Sequence, residues 1–205
     1  MMNKLNLGCG LDYKKGFINA DLFSNADIKM DFNEKFPFKN NYFNEIYMRH
    51  ALEHAKDRNF TLKEIYRVSK DNALMTIIVP HSSNPDAMTD LGHYSAFNYS
   101  TFSKTERTHK RKYQYDFHFK NITFKYTKVR LPLHLNKYNF LNNFSVKCAN
   151  KLSGLWEFHI SSVLPIMEIE YKMHIDKPPK TKPHKSYPQT ERKREIKPAG
   201  NKALL

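Results

Sequence analysis

The residues best suited to chemistry lie within the first 21 positions, where two glycines and an acid follow short apolar runs. The run Leu5–Leu7 ends in Gly8-Cys9-Gly10, and a second apolar run ends at Asp21. Glycine lets the backbone approach a ligand closely, and an acid after the next strand can hold two ribose hydroxyls. The spacing therefore predicts a nucleoside site at the carboxyl ends of two adjacent strands.

A dinucleotide site fits this segment less well. Its fingerprint, GxGxxG, opens a helix and is followed by an acid about 20 residues further on. Position 13 is Tyr13, and Asp21 comes too soon after Gly10 for a full helix to lie between them. A pyrophosphate would lack the helix N-terminus on which it usually sits. The segment therefore favours a nucleoside ligand that carries no phosphate.

Histidines follow several of the predicted strands and are candidates for proton transfer. A neutral imidazole near pH 7 is suited to accepting a proton from an oxygen or nitrogen acceptor. We predict His50 as the first catalytic candidate, followed by His81 and His93. For each of them a structural hydrogen bond is the alternative, and Glu53-His54 is expected to order its loop.

The sequence predicts no metal site. His50-Ala-Leu-Glu-His54 does not have the order His-Glu-x-x-His, which excludes the zinc-protease pattern, although a divalent ion aiding a hydroxyl acceptor stays an open alternative. Cys9 and Cys148 fit neither a disulfide framework nor a zinc pattern. Cys9 is expected to be a small packing residue in its turn.

The elements that must position these residues alternate along the first 80 positions. The spacing predicts a helix over residues 58–69 that faces inward through Leu62, Ile65, Tyr66 and Val68. The run 73–79 is nearly all apolar and suits a central buried strand, entered by a turn at Asp71-Asn72. Further strands are predicted at 5–7, 17–21, 28–31 and 45–48. This alternation predicts a mostly parallel sheet with ligands at its carboxyl edge.

The second half of the chain is expected to complete the same domain. We predict a short helix over 101–106, an outer strand over 123–131 and a helix over 138–152 that covers the sheet. Residues 165–175 alternate in a way that suits a late, antiparallel strand. The predicted domain is 1–176, residues 86–115 are a candidate substrate lid, and residues 177–205 are expected to be a disordered basic tail.

Net charge is unevenly placed along the chain. Of the net +14, all lies in residues 103–130 and 177–205, each of which carries nine basic and two acidic residues. Such clusters suggest nucleic acid or another polyanion as partner, and a solvated face with a solubilising tail is the alternative. The start of the chain is too short and polar for a signal peptide, and no run is long enough to span a membrane. We therefore expect a cytoplasmic protein.

Seven motifs arrive in an order that resembles one family, the AdoMet-dependent class I methyltransferases (AdoMet is S-adenosyl-L-methionine). The likeness is greatest to the short, methyltransferase type 11-like members, and it covers about residues 4–175. The motifs are Asn6-Leu-Gly-Cys-Gly10, Gly16-Phe-Ile-Asn-Ala-Asp21, Asp31-Phe-Asn with the segment 36–47, His50-Ala-Leu-Glu-His54, Glu64-Ile-Tyr-Arg-Val-Ser-Lys70, Ile77-Ile-Val-Pro-His81 and Asp90-Leu-Gly-His93.

This resemblance implies a fold and a cofactor. The fold would be Rossmann-like, with a mostly parallel seven-stranded sheet whose last strand is antiparallel. AdoMet would be the cofactor, held by Leu7, Gly8, Cys9, Gly10, Asp21, Leu22, Asp31, Phe32 and His50. Two departures are visible: residues 71–73 replace the usual Pro-Gly-Gly turn, and the first helix is shortened. The methionine end of AdoMet would then depend on Asp12, Tyr13 and loop atoms.

The resemblance also implies methyl transfer to an oxygen or nitrogen of a small-molecule or glycan acceptor. A nucleic-acid-associated methyltransferase is the second hypothesis, in which the basic residues 107–112 grip phosphates while Tyr113 and Tyr115 stack on bases. Base methylation is disfavoured, because Arg49-His50-Ala51-Leu52 replaces Asp/Asn-Pro-Pro-Tyr and neither cysteine follows a proline. The third hypothesis is a relative that binds no cofactor and serves as a binding module.

Overall fold

The computed structural model describes residues 2–23, 25–131 and 139–178, and these residues form one seven-stranded sheet. The strand order is β3-β2-β1-β4-β5-β7-β6, and β7 alone runs antiparallel to its neighbours. The predicted mostly parallel sheet with an antiparallel last strand is therefore confirmed. The strands are β1 (Lys4–Leu7), β2 (Ile18–Asp21), β3 (Ile28–Lys29), β4 (Phe43–Arg49), β5 (Ser69–Pro80), β6 (Phe119–Val129) and β7 (Ile166–Ile175).

Two longer helices, the short helix α2 and several helical turns connect the strands within the described residues. The helices are α1 (Arg58–Val68), α2 (Pro85–Thr89) and α3 (Asn139–Lys151). Helix α1 begins where the sequence predicts, because the Asp57 side chain accepts a hydrogen bond from the Phe60 N–H at 3.0 Å and caps the first turn. The short helical turns are Leu52–His54, Ser103–Thr105, Lys112–Gln114, Ser153–Leu155 and Trp156–Ile160.

Strand boundaries differ from their predictions most in β3, β5 and β6, and β6 spans 119–129 where 123–131 was expected. Strand β3 ends at Lys29, whereas 28–31 was expected, and the Asp31 carboxylate instead accepts from the Asn33 N–H at 2.8 Å in a tight turn. Strand β5 begins at Ser69, earlier than predicted, and runs through the expected turn. Asn72 adopts a left-handed φ of 60° within it, as an asparagine tolerates, and the pairing with β4 shifts register there.

One face of the sheet carries the hydrophobic core. Leu5, Ile46, Ile77 and Tyr171 lie on four adjacent strands and are fully buried in a single cluster. The helices add Leu62, Ile65, Val68, Ala149 and Trp156 to the same cluster. Of the residues predicted to face inward on α1, Tyr66 is only half-buried, and its hydroxyl donates to the Asp176 carbonyl at 3.0 Å. Helix α3 contacts the edge strand β6, where the Asn150 side chain bonds both the N–H and the C=O of Tyr126.

The opposite face of the sheet is polar. Asn6, Tyr47, Thr76, Lys172 and Thr123 are paired across five strands in one row. Residues 8–17, which link β1 to β2, form turns only and fold against this face, where the Lys14 ammonium lies 3.9 Å from the centre of the Tyr47 ring. The shortened first helix expected from the sequence is thus replaced by a loop. No helix among the described residues is both long and apolar enough to cross a bilayer.

Candidate active site

The glycine turn lies where the carboxyl ends of β1, β2 and β4 meet. The N–H groups of Gly8 and Cys9 both donate to the Ala20 carbonyl, at 2.8 and 3.1 Å. Gly8 has a φ of +66°, and a Cβ built on it would lie only 2.5 Å from the Cβ of Ala51. Position 8 therefore requires glycine both for its backbone conformation and for the close approach of the β4 end. Cys9 is buried, in keeping with a packing residue.

Asp21 is tied to the same turn. Its Oδ2 accepts from the Gly10 N–H at 2.9 Å, and its Oδ1 accepts from the Phe23 N–H at 2.8 Å. Gly10 has a φ of +51°, and a Cβ built on it would meet no other atom within 4 Å. The Gly10 backbone thus borders open space directly beside the Asp21 carboxylate. This arrangement fits a nucleoside whose ribose lies against Asp21.

The remaining predicted cofactor residues differ in burial and in their hydrogen bonds. Phe32 packs on the core, and its ring would be 3.6 Å from a Cβ on Gly8. The Asp31 Oδ1 accepts from both the backbone and the side chain of Asn33, at 2.8 Å each. Leu22 is half-buried, whereas the Leu7 side chain is buried in the core, so Leu7 can offer a ligand only its backbone. Their contacts with AdoMet stay predictions.

His50 lies at the carboxyl end of β4 and is held by two carboxylates. Its backbone has a φ of +47°, and its N–H donates to the Ile78 carbonyl at 2.8 Å. Its Nε2 lies 2.7 Å from Glu168 Oε2, and its Nδ1 lies 3.5 Å from Glu53 Oε1. The hydrogen bonds with Glu168 and Glu53 raise the pKa of His50 to about 9. His50 is therefore an imidazolium at neutral pH, which does not suit the neutral general base that the sequence suggested.

The pair of His50 and Glu168 links stability to pH. The folded-state pKa of His50 lies above its ordinary value of 6.5, so its contribution is complete below that pH and is lost as pH rises through about 9. The hydrogen bond from His50 lowers the pKa of Glu168 from 4.5 to about 2. That contribution is present above pH 4.5 and is lost as pH falls through about 2.

We expect Glu168→Gln to lower the pKa of His50 by about one pH unit or more, because a neutral amide does not stabilise the imidazolium. An NMR titration of the His50 ring measures this. Glu170→Gln is the matched control, since Glu170 lies on the same strand and instead pairs with Lys125 at 3.2 Å and Lys172 at 3.4 Å. An equal drop in both variants would show that net charge, and not the Glu168 contact, sets the pKa.

Within the described part of the chain, His81 contacts neither His50 nor its two carboxylates, and His93 is connected with His50 only through Glu53. His81 is 1% exposed; its Nδ1 accepts from the Ser83 N–H at 3.0 Å, and its Nε2 lies 3.2 Å from Glu157 Oε2. This buried position, between the end of β5 and the turn Trp156–Ile160, suits a structural hydrogen bond better than contact with a substrate. His93 lies instead beside His54, with ring centres 4.8 Å apart. The catalytic roles of all three histidines stay predictions.

Glu168 is the site residue that the sequence analysis missed. It belongs to β7, where Pro80 at the end of β5 is its cross-strand partner, so it reaches the same edge of the sheet as His50. The alternation over 165–175 already placed Glu168 on the polar face of its strand. His50 and Glu168 are 118 positions apart in the chain. No residue near either of them indicates that strand pairing brings them together.

Comparisons with known proteins agree with this geometry. The sequence pattern of a family of methyltransferase domains matches residues 5–77, which contain the glycine turn, Asp21 and His50. No curated protein sequence matches the chain.

Solved structures share the fold at low sequence identity. A SAM-dependent methyltransferase from Archaeoglobus fulgidus has a TM-score of 0.57 at 14% identity, with 84% of this chain and 86% of that chain covered. The Haloferax volcanii methyltransferase in complex with the Trm112 methyltransferase activator has a TM-score of 0.53 at 11% identity, covering 86% and 83%. A third, the S-adenosylmethionine-dependent methyltransferase from Mesorhizobium loti, has a TM-score of 0.50 at 10% identity, covering 84% and 90%.

The solved structures establish the architecture, and the family match covers the segment in which the glycine turn and Asp21 meet. The described site also fits the cofactor, because the Gly10 backbone borders open space and donates to the Asp21 carboxylate beside it. Residues 5–77 thus match a methyltransferase domain family, the chain has the fold of SAM-dependent methyltransferases, and AdoMet is the cofactor that these matches support.

Proposed function

We propose that this protein transfers the methyl group of AdoMet to an oxygen or nitrogen of a small-molecule or glycan acceptor. When bound, AdoMet supplies an electrophilic methyl group on its sulfonium. The chain's task is then to hold donor and acceptor close and aligned, which can be worth about 7–11 kcal/mol. Asp21 would accept from the ribose hydroxyls, the backbone of Gly8 and Gly10 would line the cofactor, and Asp31 with Phe32 would border the adenine.

The proposed acceptor class is based on the position of the basic residues in segment 103–130. Arg107 forms an ion pair with Asp176 at 2.7 Å, and Lys120 lies 3.8 Å from the same carboxylate. Asp176 directly follows β7, whose last residues pair with the beginning of β5, so this cluster lies at the amino edge of the parallel strands. The cofactor turn lies at the carboxyl edge. These cations are therefore paired and remote from the site of transfer.

Other basic residues of this segment also have structural partners or structural roles. Lys125 pairs with Glu170 at 3.2 Å, and three lysines of the segment (Lys120, Lys125 and Lys128) belong to the edge strand β6. Lysines on an edge strand discourage pairing with another chain. Of the two tyrosines proposed to stack on bases, Tyr115 packs against Phe117 with ring centres 5.4 Å apart, whereas Tyr113 is exposed. A nucleic-acid substrate would require a continuous row of basic side chains that leads to the active site. These lysines and tyrosines do not form such a row.

His50 has a positioning role in this proposal. Both of its ring nitrogens face carboxylates, so it fixes Glu53 and Glu168 at the carboxyl edge where the acceptor would enter. Arg49, with its guanidinium 3.5 Å from Glu168, supports the same carboxylate. An acceptor would thus meet a rigid, hydrogen-bonded rim beside the cofactor.

The test uses AdoMet with a radiolabelled methyl group and three separate acceptor pools: a small-molecule and glycan fraction, total RNA, and DNA. We expect label in the first pool and its loss with the Asp21→Ala variant. Label in RNA or DNA that falls steeply between about 50 and 200 mM salt would instead support the nucleic-acid hypothesis. Failure of the wild-type chain to bind AdoMet would leave a methyltransferase fold that serves as a binding module.

A further inference from the structure

Three side chains with metal-binding atoms converge beside the candidate active site. Glu53 and His54 belong to the turn Leu52–His54 that follows β4, and His93 belongs to the loop that follows α2. One carboxylate oxygen and one ring nitrogen from each histidine lie within 4.8 Å of one another. A four-coordinate ion with bonds of about 2.0–2.2 Å separates its ligand atoms by about 3.4 Å. Small side-chain rotations would therefore bring the three atoms into coordination distance.

Glu53 provides an independent reason for a cation here. Its side chain is among the most buried of the charged groups, with the residue 1% exposed, and its Oε2 has no hydrogen-bond partner among the described residues. A buried carboxylate oxygen without a partner is costly. The Nδ1 of His50 lies 3.5 Å from the other oxygen, Oε1. The backbone fixes the position, since the Glu53 carbonyl accepts from the Tyr94 N–H at 2.8 Å and holds the His93 loop against the turn.

Both histidines have the hydrogen bonds that prepare an imidazole for a metal. The Nδ1 of His54 lies 2.9 Å from the Gly92 carbonyl, and the Nδ1 of His93 lies 3.4 Å from the Ala87 carbonyl. A carbonyl can only accept, so Nδ1 carries the proton, and in the neutral ring the lone pair is on Nε2. Anchoring of one ring nitrogen on a carbonyl is the usual outer-sphere arrangement of a metal-bound histidine.

We propose that Glu53, His54 and His93 bind one divalent first-row transition-metal ion, with the Asp90 carboxylate, 3.7 Å from His93 Nε2, beside it. Two imidazoles with one carboxylate suit zinc, manganese or iron, whereas magnesium and calcium prefer sets of oxygen ligands. The ion would neutralise the unpartnered Glu53 oxygen. It would also join the His93 loop to the end of β4.

The position of the ion suggests its use. Glu53 lies in the turn Leu52–His54 after β4, and its Oε1 is 3.5 Å from His50 Nδ1, so the site borders the edge at which an acceptor would enter. An ion with open coordination positions can bind a hydroxyl oxygen and lower its pKa. This use of the ion rests on the proposed function, whereas the binding site itself does not.

The test is a calorimetric titration of Zn²⁺ into the full-length chain without AdoMet. We expect one ion per chain in the wild type and affinity at least about tenfold weaker in Glu53→Gln and His93→Asn. His118→Asn is the matched control, because the Nδ1 of His118 also lies 3.1 Å from a loop carbonyl, that of Thr105, outside the cluster. The control should bind as the wild type does.

Equal Zn²⁺ affinity in the wild type and both cluster variants would overturn the proposal and assign binding to other histidines. Absence of binding in the wild type would overturn it as well. If Glu53→Gln loses its native circular dichroism, His93→Asn still decides the question, because His93 lies in the loop after α2 and outside the hydrophobic core cluster. Co²⁺ absorbance then gives a second measurement, since a ligand-field band should appear in the wild type and in His118→Asn but not in His93→Asn. A chain that binds AdoMet but no metal would keep the proposed function and lose only this inference.

Discussion

Gly8→Ala is expected to lower the melting temperature by about 6–12 °C, which corresponds to a loss of about 3 kcal/mol. The φ of +66° costs an alanine about 1–2 kcal/mol. The added Cβ would also lie 2.5 Å from the Cβ of Ala51, and such overpacking costs about 1–3 kcal/mol more. Because both atoms are fixed by the backbone, the β1 turn and the β4 end must separate. Thermal unfolding followed by circular dichroism measures the change.

Gly16→Ala is the matched control for this effect. Gly16 also has a left-handed φ, of +82°, but a Cβ on it would meet nothing within 4 Å. Only the conformational cost remains, so the shift should be about half that of Gly8→Ala or less. Equal shifts in the two variants would mean that the approach of Ala51 contributes nothing to the fold.

Asp21→Ala is expected to weaken binding of AdoMet and of its demethylated product at least about tenfold. A hydrogen bond to a charged group contributes about 1.5–3 kcal/mol, and about 1.4 kcal/mol corresponds to a factor of ten. The variant also removes the acceptor of the Gly10 N–H, so the turn that lines the cofactor loses part of its support. Calorimetric titration of both ligands into wild type and variant measures the loss.

Asp27→Ala separates this effect from a general weakening of β2. The Asp27 carboxylate accepts from the Asn19 N–H at 2.8 Å and from the Asn19 side chain at 3.0 Å, so it supports the same strand outside the cofactor turn. We expect its affinity for AdoMet to stay within about twofold of the wild type. If both variants weaken binding equally, Asp21 acts through the strand and not through the ribose.

The features that the sequence predicted well are local. The glycine turn, β2 and Asp21 lie within 21 residues, and α1 begins at Arg58, where the apolar spacing predicts it. In such segments the turn chemistry and the apolar spacing both depend on neighbours in the chain. The mostly parallel seven-stranded sheet with an antiparallel last strand was expected from the resemblance, because the motifs arrive in the order of a known fold.

The features that the sequence could not supply depend on pairing between distant strands. His50 was predicted as a catalytic residue from its place after β4 alone, because no residue near it in the chain indicates its contact with Glu168. Likewise, the basic segment appeared to be one cluster, although β6 distributes its lysines along an edge and places Lys120 beside Asp176. The register of β5, β6 and β7 decides both outcomes, and register follows from packing of the whole sheet.

The polar sheet face has a thermodynamic consequence. The described helices contribute to one core cluster, on one face of the sheet. The other face has a polar row that includes Thr76 and Lys172, where a second apolar layer would otherwise lie. The heat capacity of unfolding depends mainly on the apolar area that becomes hydrated. A chain of this length with one apolar layer should therefore have a smaller heat-capacity increment than a sheet covered on both faces. Its stability would then change less steeply with temperature on either side of the maximum.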